Sequence, residues 1–247
     1  MAVWEKFKIG FCFLLIVVTI CTTFNAVVGL MIFLSDPHYK LHTWNKDWVK
    51  TSWSLFINQL LLVMFIVQHS LLALPTVKNR MLSSNLKVFQ RCIYIILTSV
   101  SLQILLKYWH PIPEVVLWSI NTNVRFYWWS FLLLHTFAWI LIYIGTICLD
   151  VNELLGIKQV YYNIRQLPDP SEYKSPDLKR LYLHMRHPSF IGFVVILWFI
   201  PFMSLDRFVL ALILSAYMYL GWNTDSADHK YQELQSRRKF YELNYLK

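Results

Sequence analysis

Four uninterrupted apolar runs, at about 9–34, 52–74, 89–109 and 126–149, constrain this chain more than any other feature. Each is long enough to cross about 30 Å of hydrocarbon at about 1.5 Å per residue. Two shorter runs, about 189–205 and 208–223, follow near the C-terminus and are joined through Asp206-Arg207, which reads as a tight turn. The pattern predicts an all-α fold: a polytopic membrane helical bundle of about six segments, the last two a short hairpin. Residues 1–247 read as a single multi-pass membrane domain with one long connection, 150–188, and a tail, 224–247. The tail alternates bases with Tyr231, Leu234, Tyr241 and Tyr245, as expected of a C-terminal interfacial helix lying on the bilayer.

Composition agrees with a lipid environment. Hydrophobic residues make up 57% of the chain and charged ones 15%, whereas soluble domains carry about 25% charge. The net charge of +9 is spread through short loops instead of being gathered on a folded surface, which excludes a nucleic-acid groove. Cys12, Cys21, Cys92 and Cys148 lie in or beside apolar runs at no metal spacing, so they read as small buried residues.

Orientation follows from the basic residues. Seventeen Lys and Arg fall on the side that carries both termini, the loop after the second segment with the entry to the third (Lys78, Arg80, Lys87, Arg91) and the 150–188 connection, against six on the other. The basic side is expected to face the cytosol or nucleoplasm. In the long connection, Ser175-Pro176-Asp177 reads as an N-cap with proline at the first helical position, predicting a helix from Pro176 to about His184.

On this topology several polar residues reach one membrane level. Gln68, His69 and Ser70 end the second segment there, and Asp150, Asn152 and Glu153 leave the fourth. Arg186 and His187 precede the fifth, and Asp225 and Asp228 leave the sixth. Basic groups at a helix N-terminus suit a carboxylate or phosphate, and the opposed acids suit an amine or ribose hydroxyls. The set predicts a pocket for a zwitterionic ligand. His135, mid-membrane and without a carboxylate one turn away, reads as a hydrogen-bonded core residue. His184 and His187 have no further ligands in reach by spacing, so no metal is expected.

The motifs Gln68-His69-Ser70-Leu71-Leu72-Ala73, Pro111-Ile112-Pro113 with Trp118, Glu153-Leu154-Leu155-Gly156-Ile157-Lys158-Gln159-Val160, and Arg186-His187-Pro188-Ser189-Phe190-Ile191-Gly192 with Trp198 and Pro201 occur in this order. Together they resemble the nurim family of multi-pass inner nuclear membrane proteins. The same series is similar to bacterial methanethiol S-methyltransferases and, mainly at the C-terminus, to isoprenylcysteine carboxyl methyltransferases. The resemblance implies a methyltransferase-type scaffold with S-adenosylmethionine held at the cytosolic face by Arg186, His187, Pro188, the residue at Phe190 and an acidic pair near Asp228. The shared membrane level of the polar residues adds His69 and Asp225 or Asp228 to this expected cofactor pocket. Phe190 stands where the enzymes usually have Tyr, and their Glu-Glu pair is replaced by Ala227-Asp228 or Asp228-His229. These departures fall at the cofactor site, so no residue is assigned a catalytic role. Two functions stay open: a nuclear-envelope protein whose scaffold serves a structural, anchoring or undefined role, or an active methyltransferase acting on a lipophilic thiol or carboxylate. The implied surroundings are the lipid bilayer of the inner nuclear membrane, or the endoplasmic reticulum, and neighbouring nuclear-envelope proteins.

Overall fold

The computed structural model describes residues 2–36, 47–82, 87–184, 187, 189–221 and 225–245. Helices α1 (Ala2–Ser35), α2 (Trp48–Ala73), α4 (Gln90–Lys107) and α5 (Arg125–Cys148) account for the four long apolar runs. Among the described residues these four helices are long and apolar enough to cross a membrane, α4 together with the 3-10 turn Lys87–Phe89 before it. Asp47 caps α2, accepting from the backbone N–H groups of Val49 at 3.0 Å and Lys50 at 3.3 Å. Pro75 ends it, because the residue before a proline avoids α geometry; Leu74 is extended at ψ 138°. Helix α3 (Pro75–Leu82) then carries Lys78 and Arg80.

Helix α4 is the centre of the first half, packing against both α1 and α2. Lipid tails are as apolar as leucine, so close packing and polar contacts must hold such helices together. Gln103 Nε2 donates to the Thr22 carbonyl at 2.8 Å, tying α4 to α1. The Ser101 hydroxyl donates to Gln68 Oε1 at 2.8 Å, tying α4 to α2.

The last two expected segments take a different form. Helix α9 runs only Phe190–Trp198, about 14 Å of helix, and α10 spans Leu205–Gly221. Between them Pro201 disfavours helix at Ile200, and the chain becomes strand β2 (Phe202–Ser204). It pairs antiparallel with β1 (Val116–Ser119), matching Val116 to Ser204 and Ser119 to Phe202. Trp118 Nε1 donates to the Ile200 carbonyl at 3.0 Å, and Ile120 N donates to the Pro201 carbonyl at 2.7 Å. Segments 189–205 and 208–223 still pack on one another through α9 and α10, and it is the reading of Asp206-Arg207 as their tight turn that is corrected. Asp206-Arg207 is the buried first turn of α10, with the bend made four residues earlier by a strand pair.

Helix α9 packs tightly on α5. A Cβ at Gly192 would lie 2.7 Å from Ile142 Cγ1 and 3.2 Å from the Ala138 carbonyl, so the last glycine of the Arg186–Gly192 motif serves close approach. Ala138, Ile142, Ile196, Leu197 and Leu210 meet there in the main core.

The long connection contains α6 (Val151–Leu154), α7 (Ile157–Ile164), a 3-10 turn at Pro170–Tyr173 and α8 (Pro176–His184). Helix α8 has the expected bounds, and Leu178 N donates to the Ser175 hydroxyl at 3.3 Å. The tail forms α11 (Ser226–Tyr245), braced by the ion pairs Arg237–Glu233 and Arg238–Glu242 one turn apart.

Candidate functional site

At the basic end of the bundle, α2 delivers His69, α4 delivers Tyr94 and Thr98, and α10 delivers Tyr217. The Tyr94 hydroxyl lies 3.0 Å from His69 Nε2, and Thr98 Oγ1 lies 3.3 Å from Nδ1. His187 sits against this group, its ring 6.3 Å from His69 and 5.6 Å from Tyr217. The Tyr217 hydroxyl meets Ser70 Oγ at 3.0 Å. Phe65, one turn before His69, stacks on it at 5.8 Å. Three helices and the stretch before α9 thus bring side chains together around two imidazoles, His69 and His187, both members of the expected set. Beside them Gln68 Nε2 is buried with no hydrogen-bond partner among the described residues.

Asp225 and Asp228, expected to receive a ligand amine or ribose hydroxyls, are held by a base of the chain itself. Arg180 of α8 donates to Asp225 Oδ2 at 2.8 Å and to Asp228 Oδ1 at 2.7 Å. The two acids also cap α11: Asp228 N donates to Asp225 Oδ1 at 2.9 Å, and Asp225 N donates to Asp228 Oδ2 at 3.0 Å. The Arg180 hydrogen bond, aided by the Asp228 backbone N–H, pulls the Asp225 carboxyl down to about 2. Arg180 is raised in turn, first by its bond to Asp225. Arg186 and Pro188 lie outside the described residues. Phe190 begins α9 against the main core, its ring 6.1 Å from Tyr219.

The Glu153–Val160 motif is a clamp on the start of α4. Arg91 Nε donates to the Leu154 carbonyl at 2.8 Å. Gly156 adopts φ +84°, a conformation that favours glycine. A Cβ there would meet Cys92 N at 2.8 Å. Val160 is wholly buried with Cys12 and Cys92. Glu153 pairs with Lys174, whose Nζ lies 3.7 Å over the Tyr182 ring. The Tyr182 hydroxyl donates to the Leu149 carbonyl at 3.1 Å, and burial pushes its pKa up. Asp150 pairs with Lys158 at 2.7 Å; that bond lowers the carboxyl and raises the amine.

Two proteins named as nurim homologs bear on the family. The one from Drosophila pseudoobscura pseudoobscura is 42% identical over 237 residues, covering 92% of this chain and 94% of the relative. That from Drosophila melanogaster is 42% identical over 228 residues, covering 88% and 90%. The chain belongs to the nurim family. Nurim from Homo sapiens is 37% identical over 187 residues, 74% of this chain and 71% of its own length. No family model and no solved structure matches the chain.

In this nurim-family chain the opposite end of the bundle holds a second set of polar groups, among them Asp206 and Arg207, which read from the sequence as a tight turn. Asp206, wholly buried, accepts from Trp109 Nε1 at 2.9 Å, Ile112 N at 3.1 Å and the Ser204 hydroxyl at 2.6 Å. Arg207, also buried, donates to the Phe33 carbonyl at 2.9 Å. Asn58 exchanges two hydrogen bonds with the His110 backbone, at 2.7 and 2.8 Å. His135 is the core residue expected of it. Its Nε2 faces the Phe199 carbonyl at 3.0 Å and so carries the proton, leaving Nδ1 to accept from Ser35 at 3.0 Å. A signal for Tyr94 and Thr98 existed, since they stand one turn apart on one face of α4. None existed for Arg180, whose partners lie 45 and 48 residues away.

Proposed function

We propose that this chain is a resident integral protein of the inner nuclear membrane whose methyltransferase-type scaffold serves a structural role, positioning the 150–188 connection and the tail at the nucleoplasmic face. The single observation that carries this reading is the engagement of Asp225 and Asp228 by Arg180. A cofactor with an amino group and ribose hydroxyls needs carboxylates to receive them. Here the Asp228 side chain is 2% exposed and both acids bind a guanidinium and each other's backbone. The described part of the site therefore fits S-adenosylmethionine poorly. Nuclear placement rests on the nurim resemblance, and the membrane bundle itself would carry retention. The full-length tagged protein should concentrate at the nuclear rim and resist extraction by salt and mild detergent. An even reticular distribution overturns the reading.

The alternative is an active methyltransferase for a lipophilic thiol or carboxylate. It draws on the convergence of His69, His187, Tyr94 and Tyr217, a polar cluster costly to build in a membrane protein without use. Calorimetry with S-adenosylmethionine on the purified chain separates the two. Saturable binding would favour the enzyme, and its absence at millimolar cofactor favours the structural role.

A further inference from the structure

A groove of about 570 Å³ opens between the N-terminal part of α1 and the α6–α7 segment. Its volume falls within the range of small-ligand sites, about 300–1,000 Å³. One wall is Ile9, Phe13 and Ile16 of α1, spaced to share a helix face, and the other is Ile157 and Ile164 of α7. At its rim stand Asp150, Lys158, Asn152 and Tyr161. The apolar wall belongs to a spanning helix, just inside Lys6 and Lys8, so it meets acyl chains, while the rim lies at headgroup depth.

From this juxtaposition we infer that the groove is a binding site for one phospholipid with a zwitterionic headgroup. The rim carries one charge of each sign. Lys158 Nζ pairs with Asp150 at 2.7 Å, and the two side chains are 30% and 36% exposed, so both present a solvated edge. The ammonium has three protons, and this ion pair uses one. Its remaining donors, with the exposed Asn152 amide and Tyr161 hydroxyl beside it, suit a phosphodiester. The Asp150 carboxylate attracts a headgroup amine and repels a second negative charge. Each member of the pair stabilises the ionised form of the other, so both remain charged at neutral pH. A purely basic rim would instead gather anionic lipid without discrimination. An acyl chain needs no cost of entry from water here, since the groove faces the bilayer.

The test reconstitutes the full chain in bilayers of equal phosphatidylcholine, phosphatidylethanolamine, phosphatidylserine and phosphatidylglycerol. It is then extracted gently, and retained lipid is counted by native mass spectrometry. One zwitterionic lipid per chain should survive. Lys158→Gln should lower its retention about tenfold, the size of one lost charge-assisted hydrogen bond, while Lys158→Arg preserves it. A photoreactive phosphatidylcholine should label Ile9–Ile16 and Ile157–Ile164 preferentially. Thermal unfolding of Lys158→Gln alongside the parent chain separates lost binding from lost folding. Equal retention in the variant, enrichment of the acidic lipids, or label spread evenly around α1, as for annular lipid only, each overturns the inference. So does a crosslink at Phe13 between two copies, which would make the groove a protein interface.

Discussion

Arg180 on α8 reaches Asp228 at the head of α11 at 2.7 Å, setting an exposed guanidinium against a carboxylate whose side chain is 2% exposed. This contact, with the second bond to Asp225, fastens the tail helix to the long connection. Removing one partner of such a pair leaves the other charge without compensation, which is worse than never having had the pair. Arg180→Ala should therefore loosen α11, seen as several-fold faster cleavage in the 222–230 region by a protease added to the basic face. The same release should follow acid. Asp225 ionises in the folded chain at about 2 instead of 3.8, so its contribution is present above its ordinary value and lost as pH falls toward about 2. Protease sensitivity rising between those values in the parent chain, and already high at neutral pH in Arg180→Ala, is the expected pattern. Identical acid profiles for the two chains would show that the pair does not hold the tail.

The glycine of the Glu153–Val160 motif gives a sharper case. Gly156 combines φ +84° with backbone of α4 at 2.8 Å from a Cβ position, so alanine there is strained twice. Gly156→Ala should destabilise by about 2 kcal/mol or more, lowering the thermal midpoint in detergent. Gly10→Ala, inside α1 with nothing within 4 Å of the new Cβ, is the control and should not lower the midpoint. A neutral Gly156→Ala would mean that α7 can back away from Cys92 at no cost.

How much of this was legible in the chain divides by range. Local signals worked: the Ser175-Pro176-Asp177 start gave α8 its bounds, and apolar length gave the four spanning helices. The three-residue strand β2 was hidden because Phe202-Met203-Ser204 is as apolar as the helices around it, and its partner lies 83 or more residues earlier. Asp206-Arg207 looked like a solvated turn because charges between two apolar runs usually are. Its partners Trp109, Ile112 and Phe33 come from elements 94 to 174 residues away, and no local pattern encodes them. In the candidate site, topology placed His69 and His187 at one level, while Tyr94 and Tyr217 were not singled out.

The buried carboxylate at that far end carries a stability prediction. Asp206 satisfies the Trp109 indole, the Ile112 backbone N–H and the Ser204 hydroxyl. Alanine would leave several donors unpaired, at about 1–3 kcal/mol each, so Asp206→Ala should cost at least about 3 kcal/mol. Trp109→Phe removes one donor and keeps most of the ring, and should cost less. Equal losses for the two variants in thermal unfolding would count against the carboxylate as the centre of the network.

The orientation of the chain is the last expectation. On the expected topology Lys and Arg stand seventeen to six across the bilayer. One of the six, Arg207, is 4% exposed and donates to the Phe33 carbonyl. A residue buried in the bundle is not a loop charge that resists translocation, so it drops out of the minority count. Positive loops remain on the translocating side only in small number, and the rule counts bases close to the helix ends, where Lys6, Lys8, Lys78, Arg80, Lys87 and Arg91 all lie. Both termini should face the cytosol or nucleoplasm. Glycosylation acceptor sites placed at either end should stay unmodified, while one inserted near Asn121 in the connection between α4 and α5 should be glycosylated. Modification of a C-terminal site would invert the assignment. It would also place the Asp150–Lys158 rim in the opposite leaflet, where the lipid offered to the groove comes from the lumenal face.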